Sequence, residues 1–207
     1  MLGTVPFSQV EYGRSVNGIP LTYIPATTKT KLLVFAAIHG EEADTIFLLS
    51  RALRYLEKPL EHVAVVLCAN PDGVLLGTRG NANGVDLNRN FPTSNWTPGD
   101  SFSRPVLEAE RTMKLSMGSS NGPEPETLAL IGLAEKLEPE AFLALHGPIG
   151  CVDAPEESEY VKALSKLFKL PWQPDIGYPT PGSFGTWCKE QGKHCITLEL
   201  PRQAGEE

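Results

Sequence analysis

No apolar run in the 207-residue chain approaches the ~18–20 residues that carry a helix across a bilayer, so no membrane-spanning segment is expected. Cysteine is sparse: Cys68, Cys151, Cys188 and Cys195 form no CxxC pair, and a domain of this length needs no disulfide staples. All four are read as reduced, with Cys68 and Cys195 packing as small hydrophobes inside apolar runs rather than ligating a metal. Met1–Val10 contains neither the basic group nor the apolar core of a secretory leader, so the expected location is the cytoplasm. Missing too is any block of like charge. The formal charge of −7 is spread along the chain and would repel a phosphate backbone, which argues against nucleic acid as a partner.

What is present describes a globular protein: 41% apolar and 21% charged residues, in a length that suits a single domain spanning 1–207. Glycine (19) and proline (18) are plentiful enough to predict long, shaped loops. The runs Lys31–Ile38, Val63–Ala69 and Ala141–His146 are too continuously apolar for half-exposed strands and suit strands covered on both faces. Amphipathic, helix-length segments alternate with them at Glu41–Leu56, Glu124–Leu137 and Glu157–Leu170. A short helix over Ser183–Gln191 leads into a late strand, His194–Leu200. The pattern predicts an α/β fold with a mixed, mostly parallel central sheet and helices on both faces. Pro71–Gly122 reads as one elaborated loop region with a short helix around Leu107–Ser116.

Polar residues interrupt this pattern where strands end. His39 and Glu42 follow the first buried run at the turn into a helix, three residues apart, so an imidazole and a carboxylate can converge on one ion. Glu42 could equally be a first-turn carboxylate that complements the helix dipole. His146 ends a second buried run before Gly147-Pro148, and ligands of open α/β sheets gather beyond the carboxyl ends of the strands. Two imidazoles and one carboxylate leave a tetrahedral zinc one open position, the hydrolytic pattern. Glu199 lies inside ITLEL, where a carboxylate is costly unless it joins a buried ion pair or transfers protons beside a metal-activated water.

The segment GVDLNRNFP at Gly84–Pro92 resembles the substrate-carboxylate motif of the zinc metallocarboxypeptidase family. HGEE at His39, NPDG at Asn70, LHG around His146 and TLELP around Glu199 follow that family's order, with 104 positions between Glu42 and His146. The resemblance runs from Tyr12 to Pro201, and TRGNANGVDLNRNFP, GYPTPGSFGTWC and HCITLELP bring it nearest to a small bacterial branch that acts on murein peptides. It implies one zinc held by His39, Glu42 and His146, with Glu199 as general base and acid. It further implies that Asn88 and Arg89 grip the substrate's terminal α-carboxylate, that Arg79 polarises the scissile carbonyl, and that Tyr178 closes over the substrate. The reaction so implied is hydrolysis of the γ-D-glutamyl–meso-diaminopimelate bond of free murein peptides during cell-wall recycling.

Two departures stand out. Glu41 occupies a position where digestive members carry an arginine, which argues against long neutral peptides as substrates. Only Leu200–Glu207 follow Glu199, where the family continues into a final helix; the expectation is an uncovered apolar face and self-association through it. Phe184 and Thr186 fall where the family sets its side-chain pocket, with Asp153 a candidate partner for an amine. Two other readings stay open. One is an N-acyl amino acid deacylase of the aspartoacylase and succinylglutamate desuccinylase type, although those have a shorter Glu-to-His spacing and an extra β domain. The other is a non-catalytic peptide-binding module.

Overall fold

The computed structural model describes residues 4–5, 7–103, 113–119 and 121–201. In chain order the elements are strands β1 (Val10–Arg14), β2 (Pro20–Tyr23) and β3 (Leu32–Ala36), helix α1 (Ala43–Arg54), strand β4 (Val63–Val66) and helix α2 (Pro71–Leu76). A single 3-10 turn, Leu87–Arg89, precedes the hairpin β5 (Asp100–Ser103) and β6 (Met113–Ser116). Then come α3 (Pro125–Leu137), β7 (Ala141–His146), β8 (Ile149–Asp153), α4 (Glu159–Phe168), β9 (Trp172–Gln173), α5 (Phe184–Glu190) and β10 (His194–Pro201).

Six strands form the central sheet in the order β4-β3-β7-β10-β8-β9. The β4-β3, β3-β7, β7-β10 and β8-β9 pairs are parallel, and only β8 against β10 is antiparallel. The expected mixed, mostly parallel sheet is therefore present, and the continuous apolar runs have the expected cause. Leu33, Phe35, Phe142 and Ala144 face α3 and α5, meeting Leu130, Leu133, Phe184 and Trp187. Val34, Ala36, Leu145, Ile196 and Leu198 face the other way, toward Ile46 and Leu49 of α1 and Val161 and Leu164 of α4. With helices of this chain on both faces, the self-association expected from an uncovered face gains no support. The expected chain end without a closing helix falls on residues 202–207, outside the described residues.

The loop expectation for 71–122 needs correction. Asn70 accepts a hydrogen bond from the Gly73 amide at 2.9 Å and Pro71 fills the first turn, so NPDG starts a true helix, α2. Met113–Ser116, expected to end a short helix, is instead the strand β6 paired with β5; Leu107–Thr112 lie outside the described residues. Four residues are too few for periodicity to separate helix from strand, and cross-strand pairing decides. The hairpin β1-β2 and the short strands β8 and β9 were likewise not expected.

Phe184 is the centre of the aromatic core under the cleft. Its ring meets Phe35, Phe142 and Phe91 edge-on at 4.9, 5.1 and 5.2 Å between centroids, and it is 2% exposed. Its N-terminal neighbour Ser183 caps α5 by accepting from the Thr186 amide at 3.1 Å. Phe184→Ala should lower unfolding free energy by about 3–5 kcal/mol through lost burial and a residual cavity. Urea denaturation checks this, and a loss under about 1 kcal/mol would mean that the core collapses around the site.

Candidate active site

The site is assembled at the carboxyl ends of the parallel strands. β3 ends in a bend at Ala37, whose φ of 50° is unfavourable for a residue with a Cβ. The surroundings hold it there: the Ala37 amide donates to Thr45 Oγ1 at 3.1 Å, and its carbonyl accepts from the Asn70 amide at 3.0 Å. The bend turns His39 and Glu42 inward before α1 begins. A Cβ on Gly40 between them would collide with the backbone of Gly73 and Val74 in α2, which is the physical link between HGEE and NPDG. His146 ends β7, and Glu199 of β10 is its direct partner across the parallel pair, so both side chains leave the same face of the sheet.

His39 Nδ1 lies 2.8 Å from Glu42 Oε1, His146 Nδ1 lies 3.1 Å from Glu42 Oε2, and the two Nδ1 atoms are 3.2 Å apart. Donors about 2.0–2.1 Å from a tetrahedral ion stand roughly 3.3–3.4 Å from one another, so the two imidazole nitrogens and the carboxylate between them are spaced closely enough to share a zinc ion. Among the described residues they form the one cluster of three such groups able to share a metal. All three residues are buried. Burial alone would raise the Glu42 pKa, but the adjacent imidazoles outweigh it and hold this carboxyl well below its usual range.

Behind His39 lies a residue whose role the sequence did not show. Asp86, fully buried, takes His39 Nε2 at 3.2 Å on one oxygen and Arg79 Nε at 3.1 Å on the other. The Asn88 amide and Ser101 hydroxyl complete its set, donating at 3.0 and 3.1 Å. A carboxylate behind a ligating imidazole fixes the ring and strengthens it as a donor. Despite burial, Arg79 and His39 keep Asp86 ionised, with its pKa well below the ordinary value. Arg79 also reaches Glu42 and Glu41 at 3.3 and 3.4 Å.

Arg89 sits in the 3-10 turn, its guanidinium donating to the Asn88 carbonyl at 2.7 Å and forming no ion pair among the described residues. Burial and neighbouring Arg79 press its pKa downward against the pull of Asp86, as expected of a cation short of counter-charge. Gly182, at φ 69°, packs so tightly on the Arg89 carbonyl that no side chain would fit. Asn88 Oδ1 accepts from the Phe184 amide at 2.9 Å, tying the turn to α5. Tyr178, half exposed, lies in the loop before α5. A cavity of about 1160 Å³ is lined by all eight residues singled out from the sequence: His39, Glu42, Arg79, Asn88, Arg89, His146, Tyr178 and Glu199. Thr186 lines it as well, whereas Phe184, expected in the pocket, belongs to the core.

Glu199 is 7% exposed and its Oε2 has no hydrogen-bond partner among the described residues. Burial is the main reason its pKa is raised; Glu42 adds to this and His146 opposes it. A carboxyl with a higher pKa folded than unfolded removes stability as pH rises from its unfolded to its folded value. Metal-free Glu199→Gln should therefore melt above the metal-free wild type near neutral pH and approach it at about pH 4, where both are uncharged. Paired calorimetric scans test this; equal Tm values at neutral pH would show that the buried charge costs nothing.

Comparison with known proteins agrees with this arrangement. The sequence model of the zinc carboxypeptidase family matches residues 7–150. Murein peptide amidase A of Escherichia coli (strain K12) is 44% identical over 208 residues, covering 99% of this chain and 86% of the relative. The Vibrio campbellii protein of the same name is 46% identical over 193 residues, covering 92% and 78%. The crystal structure of murein-tripeptide amidase from Escherichia coli O157 superposes with a TM-score of 0.92 at 43% identity, covering 99% of this chain and 87% of that one. Matched through its motifs, its sheet and nearly its whole length, the chain is a member of the zinc carboxypeptidase family.

Proposed function

We propose that the protein is a zinc amidase that hydrolyses the γ-D-glutamyl–meso-diaminopimelate bond of free murein peptides, acting as one catalytic domain in the cytoplasm. The observation that carries this reading is the gathering in one cleft of three candidate metal donors, a buried carboxylate with its Oε2 unpartnered and a guanidinium without an ion pair, both among the described residues. The chain's 44% identity to murein peptide amidase A directs the substrate assignment.

His39, Glu42 and His146 would hold one zinc per chain. When bound, zinc supplies a Lewis acid and a water acidic enough to lose its proton near neutral pH. Glu199, buried at the floor of the cleft with Oε2 unpartnered among the described residues, would accept a proton there from the attacking water and return it to the departing amine. Arg89 and Asn88 bind the α-carboxylate of the departing residue, a charge-assisted contact that gives Arg89 its missing counter-ion. Arg79 steadies the carbonyl oxygen as charge develops on it, while Asp86 holds Arg79 in place. Tyr178, exposed at the mouth, folds over the bound peptide and excludes water.

Zinc-loaded protein should release free diaminopimelate from L-Ala-γ-D-Glu-meso-diaminopimelate, detected by mass spectrometry, and a chelator should stop the release. His146→Ala should purify with little zinc; full metal content in that variant, or no diaminopimelate from the loaded wild type, would refute the assignment. Amidating the α-carboxyl of the terminal residue should cost at least about tenfold in kcat/KM, since a charged hydrogen bond contributes roughly 1.5–3 kcal/mol. Arg89→Ala should shrink that discrimination, and equal cleavage of acid and amide by the wild type would assign Arg89 a purely structural part.

A further inference from the structure

The cavity continues past the catalytic groups over the floor formed by β10 and β8. Thr197 faces it two residues before Glu199, and across the antiparallel pair Thr197 is the direct partner of Asp153. At about 3.3 Å per residue, Asp153 stands roughly 6–7 Å along the strands from Glu199, on the same face. That is about the distance from the α-carbon to the far end of a seven-carbon diamino acid. On the amidase reading, the scissile amide sits at Glu199 and the α-carboxylate at Arg89, both of which line this cavity. The departing residue's side chain then has the space above Thr197 and Asp153, walled by Gly185 and Thr186 of α5.

Asp153 is partly buried and has no hydrogen bond or ion pair from its carboxylate among the described residues. Two of the three charged groups that act on it most are of its own sign. Burial, then Glu199, then Asp175 push its pKa up to about 6, with His146 the one group that opposes them. Holding three carboxylates around one polar cavity is costly unless a cation joins them. Glu41, the other carboxylate near the centre, is already engaged with Arg79.

We propose that Asp153, supported by Asp175, recognises a positively charged amino group at the far end of the departing residue's side chain, so that the cleft selects terminal diamino acids. This deepens the amidase reading above and rests on it. The contact is a specificity contact: it binds the leaving residue and takes no part in proton transfer.

The test compares two peptides, L-Ala-γ-D-Glu-meso-diaminopimelate and the same peptide ending in L-2-aminopimelate, which lacks only the far amine. Wild-type protein should favour the first by at least tenfold in kcat/KM, and the preference should narrow with added salt. Asp153→Asn should bring the ratio close to one, and Asp153→Glu should retain most of it. A wild-type ratio within twofold overturns the inference while leaving the amidase reading intact, as does a wild-type ratio preserved in Asp153→Asn. A wild-type protein that hydrolyses neither peptide overturns the amidase reading and the inference with it. Should Asp153→Asn fail to fold, the wild-type ratio and the Asp153→Glu variant still decide the question.

Discussion

Asp86 is a carboxylate that solvent does not reach, and four groups converge on it: the His39 ring, the Arg79 guanidinium, the Asn88 amide and the Ser101 hydroxyl. Each comes from a different part of the active site. His39 is a candidate metal donor, Arg79 links back to Glu42, Asn88 lies in the turn that carries Arg89, and Ser101 belongs to the β5-β6 hairpin. A buried charge is costly unless it is paired, so this carboxylate fixes the relative positions of the groups that satisfy it. The His39-Glu42-His146 cluster and the turn that carries Arg89 are in this way parts of one hydrogen-bonded unit.

The sheet supplies the other half of the geometry. Parallel pairing of β7 with β10 sets His146 beside Glu199, so the proposed metal donor and the proposed proton carrier share one face without either needing a loop to position it. The antiparallel return of β8 beside β10 extends the same polar face to Asp153. Apolar packing of Leu198 and Leu200 on the opposite face anchors the strand, which holds Glu199 buried with its Oε2 unpartnered among the described residues. The cost of burying that oxygen is offset by the packed core on both sides of the sheet.

Much of this was legible from residues alone, and the limits have physical causes. Strands covered on both faces announce themselves as apolar runs, so β3, β4, β7 and β10 could be placed, and with them His39, Glu42, His146 and Glu199 at strand ends. β8 and β9 could not be: IGCVD carries a glycine and an aspartate that faces a cavity, and β9 has two residues. Asp86 lay in plain view inside GVDLNRNFP, yet its role depends on contacts with residues 47 positions away and could not be read from spacing. Phe184 was misplaced in the pocket because its position in the chain is next to cleft residues, while helix α5 turns its ring into the core.

Zinc-edge X-ray absorption on the metal-loaded protein tests the central claim most directly, because it counts the donors themselves. The account predicts a four-coordinate ion with nitrogen and oxygen at about 2.0–2.1 Å and the outer-shell scattering of two imidazoles, falling to one in whatever zinc His146→Ala retains. A sulfur shell at about 2.3 Å, or an imidazole count unchanged by loss of His146, would contradict it.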